Sequence, residues 1–183
     1  MPFQLLFFPK QRNGVINMIA HETNSQSTIE RLVWDILFEN EIGEPPVPIV
    51  FLCDNLGIKV RETRFKTPTL SSMIFEDEGQ YQIYVNRDAS DERQRFAIAH
   101  ELGHYFLHLN PRRVAHAGFA DNDDTLGQNA QHPMERQANE FALSILMPHP
   151  WVRSLRVTNS HADLARMFLV PEELINWRVK TVR

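Results

Sequence analysis

The chain has 183 residues, 43% of them hydrophobic, enough for one domain with a core that needs no disulfide to hold it. Its formal charge is −4 and its pI about 6.1, which argues against sequence-blind binding to nucleic acid, because that function needs a strongly basic surface. The single cysteine, Cys53, lies inside an apolar run; it cannot form an internal disulfide and reads as a core thiol suited to a reducing cytoplasm.

Residues 1–26 show no clear period and read as an N-terminal extension, with Met18 as an alternative start. Their short apolar run is followed, not preceded, by Lys10 and Arg12 and is bracketed by Pro2 and Pro9, which is unlike a signal peptide. No segment approaches the roughly 20 apolar residues that a membrane span requires, so a cytoplasmic protein is expected. Ser27 followed by Glu30 forms a capping box, and Ile29, Leu32, Val33, Ile36 and Leu37 make one apolar helix face. A shorter helix is expected over 48–56, stopped by Gly57. The stretches IKVRETRF, SSMIFE and QYQIYVN alternate with period two and predict about three antiparallel strands, the last two joined by a tight turn at Gly79.

Ser90 then caps a helix whose first turn carries Asp91 and Glu92, where the helix dipole favours negative charge. That helix runs to Asn110-Pro111. The polar segment 112–131, with its DNDD run, reads as a loop. PMERQANEFALSILMP is a further helix between Pro133 and Pro148, and two or three short helices follow from Trp151. The expected organisation is an extension over 1–26, a core over 27–150, and a C-terminal helical segment over 151–183 packed on that core.

The residues that carry chemistry are His100, Glu101 and His104 in the HELGH run, an HExxH motif. Residues four apart sit one above the other on a helix, so both imidazoles can reach one metal ion. Glu101 lies on an adjacent strip, where its carboxylate can take a proton from a metal-activated water as that water attacks a carbonyl. The motif also falls in an apolar helix, where three polar side chains are costly to bury unless a metal engages them.

Two histidines leave a catalytic zinc site one ligand short. A metzincin would carry Gly at 106 and His at 110; Phe106 and Asn110 stand there instead. His108 shares the helix face but lies eight residues from His100, about 12 Å along the axis, too far for one ion; a polar or capping role is expected. On the next helix, Ala138, Phe141, Ala142, Ile145 and Leu146 define an apolar face that includes Glu135, with Asn139 at its margin. Glu140 falls opposite, beside Arg136, Gln137 and Ser144, where it can stay solvated. A core-facing carboxylate needs a partner, so Glu135 is the expected third ligand, and Asn139 is placed to orient a ligand imidazole. Zinc is the default cation for two histidines and a glutamate, with manganese as the alternative. The group stabilising the oxyanion is not readable; His116, His132, Tyr105 and Arg136 are candidates.

With these residues in view, the chain resembles the ImmA/IrrE family of small prokaryotic and phage metallopeptidases. The matching stretches are RQRFAIAHELGHYFLH, the preceding SSMIFEDEGQYQIYVN hairpin and ERQANEFALSILMP, in the family's order, and DLARMFLVPEELINWRV resembles its closing helices. The resemblance implies an α+β, minimal zincin-like core with His100, His104 and Glu135 as ligands. It also implies a protein substrate: a helix-turn-helix transcriptional repressor cleaved to derepress stress, phage, mobile-element or toxin–antitoxin genes. The strand containing Tyr81 to Val85 is a candidate edge for aligning that substrate by strand addition.

Two other readings compete. One is a metal-stabilised partner or antitoxin that sequesters a regulator without cutting it, although such a role gives Glu101 no purpose. The other is direct DNA reading by 161–179, disfavoured because the recognition helix would begin with Glu172 and Glu173, which repel phosphate. The oligomeric state is not encoded in any recognisable pattern.

Overall fold

Every residue from 96 to 104 is buried, which no surface helix could sustain. The computed structural model describes residues 26–67, 69–109, 118–122 and 132–181, and it explains this burial by placing that helix between a sheet and two further helices. In chain order the elements are α1 (Gln26–Glu39), α2 (Ile49–Asn55), β1 (Lys59–Thr63), β2 (Leu70–Asp77), β3 (Gln80–Asn86) and α3 (Asp91–His104). A π-helical turn over Tyr105–Leu109 continues α3. Then come β4 (Gly118–Asn122), α4 (Pro133–Leu146), α5 (His149–Leu155), α6 (His161–Phe168) and α7 (Glu172–Thr181). The N-terminal extension lies outside the described residues.

The fold is α+β, as expected. The sheet is larger than the strand pattern implied: four strands in the order β1-β3-β2-β4. β2 pairs antiparallel with both β3 and β4, while β1 pairs with β3 in parallel. The fourth strand comes from the segment read as a loop. GFADN lacks the β-branched run that marks a strand, and its pairing with β2 is made by the backbone. The hairpin between β2 and β3 turns on Glu78 and Gly79, both with positive φ (50° and 79°), the conformation of a two-residue turn that matches strand twist. This topology puts β3 in the sheet interior, so the strand containing Tyr81 to Val85 is not an edge. β1 and β4 are the outer strands.

Ile74, Ile83 and Val85 give the sheet its buried face, and Ile74 pairs directly with Ile83 across the ladder. α3 packs against β2 and β3 on one side and against α4 on the other; α1 packs on α4. Ser90 caps α3 by accepting from the Arg93 N–H. Arg95, one turn in, donates to the Val47 and Leu169 carbonyls and so ties both flanking segments to the central helix. On α1, Glu30 reaches the His149 ring (2.8 Å). Cys53 is fully buried in α2, and burial pushes its thiol up to about 12, the behaviour of an inert core cysteine. No helix among the described residues is long and apolar enough to cross a membrane.

The last helix is tied to α4 through one side chain. Arg178 on α7 is fully buried. Its guanidinium donates to the Met147 carbonyl (2.9 Å), to Ser144 Oγ (3.3 Å) and to a Glu140 carboxylate oxygen (3.4 Å). Glu140 is therefore not a free surface carboxylate: the buried Arg178 side chain reaches from α7 to the face of α4 opposite Glu135, and the charged partner makes the half-buried Glu140 tolerable there. The segment 161–179 that suggested DNA reading spends Arg178 in this way, and Glu173 pairs with Arg93.

Candidate metal centre

The centre is built from two helices that approach more closely than side chains normally permit. At Gly103 an added Cβ would lie 2.9 Å from both the Cα and the carbonyl oxygen of Ala138, and 3.2 Å from the Phe141 Cβ. A glycine is required there, and its absence of side chain brings the backbone of α4 against α3. That approach carries Glu135 and Asn139 to the imidazoles of His100 and His104.

His100 and His104 are fully buried, with their Nε2 atoms 3.0 Å apart. A Glu135 carboxylate oxygen lies 3.2 Å from His100 Nε2 and 3.4 Å from His104 Nε2. These three atoms form a nearly equilateral triangle. For bonds of about 2.0–2.1 Å in a tetrahedral site, ligand atoms sit roughly 3.3 Å apart, so the triangle has the size of one face of a zinc tetrahedron. Among the described residues, this trio is the set of donors close enough to share an ion. Two imidazole nitrogens and a carboxylate oxygen, all directed at one point, suit a divalent cation with a fourth position open to water or substrate.

The ring nitrogens facing away are also held. His100 Nδ1 lies 2.9 Å from the Asn139 side-chain oxygen, so its N–H donates there and leaves Nε2 bare to face the trio. His104 Nδ1 lies 3.0 Å from His108 Nδ1, and His108 Nε2 lies 3.0 Å from the Gln137 side-chain oxygen. His108 stands outside the donor trio, as the axial distance required, yet it touches one of its members, a contact that axial reasoning alone missed. The available signal was the second four-residue interval, from 104 to 108. Glu101, on the neighbouring strip of α3, is fully buried.

The candidates for an oxyanion donor divide. Tyr105 packs its ring on Tyr81 and Phe106, and burial raises its phenol above the ordinary value. His132 caps α4 by accepting from the Met134 N–H, and Arg136 is exposed. His116 lies outside the described residues.

Residues 53–180 match the family model described as the IrrE N-terminal-like domain of the M78 peptidases. The chain belongs to this peptidase family. The matched region contains both motif helices and every residue of the trio. Among individual relatives, the chain is 29% identical over 112 residues to the metallopeptidase ImmA of Bacillus subtilis (strain 168), covering 56% of this chain and 57% of that protein. The match thus spans little more than half of the relative. In shape, the chain is similar to a Mycobacterium tuberculosis transcriptional regulator, with a TM-score of 0.53 and 16% identity over 87% of this chain and 49% of that one. This last likeness is one of fold.

Proposed function

We propose that this M78-family chain is a zinc metalloendopeptidase that cuts a helix-turn-helix transcriptional repressor in the cytoplasm, so relieving repression of stress, phage, mobile-element or toxin–antitoxin genes. The observation that carries this reading is the triangle of His100 Nε2, His104 Nε2 and Glu135 at 3.0–3.4 Å. Membership in a peptidase family and the likeness to a metallopeptidase support it. When bound, the cation supplies a Lewis acid and makes water acidic enough to react near neutral pH.

The chain's own residues do the rest. His100, His104 and Glu135 hold the ion, and Asn139 fixes the His100 ring. Glu101 takes the proton of the attacking water and delivers it to the leaving amine; a buried carboxylate beside the imidazole pair is suited to that task. The outer edge of β4 aligns an extended substrate by strand addition, since among the described residues β4 pairs through its other edge, with β2. Its partner β2 packs against α3, the helix that carries His100 and His104.

The test uses purified, zinc-loaded protein and the helix-turn-helix repressor encoded beside its gene. Wild type should produce discrete fragments. Glu101→Gln should retain zinc and produce none. If Glu101→Gln relieves repression as well as wild type, the function is sequestration and the peptidase reading fails.

A further inference from the structure

We propose that His108 is a positioning residue for the metal centre, fixing the ring of His104 so that Nε2 is the atom presented to the cation; this rests on the reading of His100, His104 and Glu135 as ligands.

The argument follows the protons. His104 has its Nε2 in the donor triangle, 3.0 Å from His100 Nε2 and 3.4 Å from Glu135. An imidazole that coordinates through Nε2 carries its proton on Nδ1, and that N–H needs an acceptor when buried. His104 Nδ1 faces His108 Nδ1 at 3.0 Å. The contact is a hydrogen bond only if His108 Nδ1 is bare, which puts the His108 proton on Nε2. At Nε2 stands the Gln137 side-chain oxygen, 3.0 Å away and able only to accept. Each tautomer is thus dictated by its neighbour, from Gln137 through His108 to His104.

The arrangement mirrors the other ligand. His100 donates from Nδ1 to Asn139, and His104 donates from Nδ1 to His108. Both acceptors depend on α4, directly through Asn139 and indirectly through Gln137. The geometry at 108 depends on the π-helical turn over Tyr105–Leu109, a loosening of helical pitch frequent at functional sites. With His108 only 4% exposed, water is poorly placed to replace it as acceptor.

The experiment measures zinc affinity by chelator competition for wild type, His108→Phe, His108→Asn and Gln137→Leu, alongside thermal unfolding of each metal-free protein. His108→Phe fills the same space without an acceptor and should weaken zinc binding about 10- to 100-fold. His108→Asn restores an acceptor oxygen near the Nδ1 position and should recover much of that loss. Gln137→Leu should weaken binding by a smaller factor. Proton–nitrogen NMR of zinc-loaded wild type should show His104 protonated at Nδ1 and His108 protonated at Nε2; this requires no variant to fold. Equal zinc affinity of wild type and His108→Phe, or a His108 ring protonated at Nδ1 in the loaded protein, overturns the proposal while leaving the ligand set intact. Wild type that binds no zinc overturns the ligand reading itself.

Discussion

The backbone of Ala138 lies so close to Gly103 that a single methyl group cannot be inserted between them: a Cβ at 103 would meet the Ala138 Cα and carbonyl oxygen at 2.9 Å. Backbone atoms cannot swing aside as a side chain can. Gly103→Ala should therefore force α3 and α4 apart and destabilise the protein by about 1–3 kcal/mol, the usual cost of overpacking. The same displacement opens the triangle between His100, His104 and Glu135. Urea unfolding of the metal-free protein and zinc titration should both report the change; unaltered zinc affinity would mean that the helix spacing does not set the donor geometry.

Asn139 accepts from His100 Nδ1 at 2.9 Å within a buried site. Asn139→Ala removes that acceptor and frees the ring to rotate. Zinc affinity should fall about 10- to 100-fold with a smaller effect on unfolding of the metal-free chain. Chelator competition measures the first and thermal melting the second.

Arg178 is fully buried while its partner Glu140 retains a side chain 21% exposed. Removing the carboxylate alone, as in Glu140→Ala, strands a guanidinium in the interior and should cost roughly 3 kcal/mol. Exchanging both, with Arg178→Met and Glu140→Leu, should cost much less, because no uncompensated charge remains. A double-mutant cycle by urea unfolding gives the coupling directly, and simple additivity would contradict it.

His149 packs against Glu30 at 2.8 Å, yet its ring is held below the ordinary histidine pKa. Burial is the largest cause, the Arg178 guanidinium adds to it, and the Glu30 carboxylate, pulling upward, does not offset them. The folded state therefore prefers the neutral ring, and the unfolded chain takes up the proton more readily. The stabilisation from this group is present above about 6.5 and is lost as pH falls through the folded-state value. His149→Gln should flatten the pH dependence of unfolding free energy just below 6.5; an unchanged slope would remove His149 as its source.

The difference between what the sequence disclosed and what it hid follows from the range of each interaction. The four-residue interval from His100 to His104 and the apolar stripe that includes Glu135 are local regularities of single helices, so their convergence could be anticipated. The strand β4 was hidden because GFADN pairs through its backbone and its last two residues open the polar DNDD run. The interior position of β3 was hidden because strand order is a property of the whole sheet. Glu140 was misjudged because periodicity reports which face of α4 is polar but not that an arginine 38 residues later covers it.

α4 carries two polar clusters on one rigid rod. Glu135 and Asn139 serve the imidazoles of α3, while Glu140 and Ser144 receive Arg178 from α7. Whatever seats α7 thus also steadies the carboxylate at the opposite flank, and truncation before Arg178 should slacken the convergence of His100, His104 and Glu135, although Arg178 bonds to Met147, Ser144 and Glu140 and to none of those three.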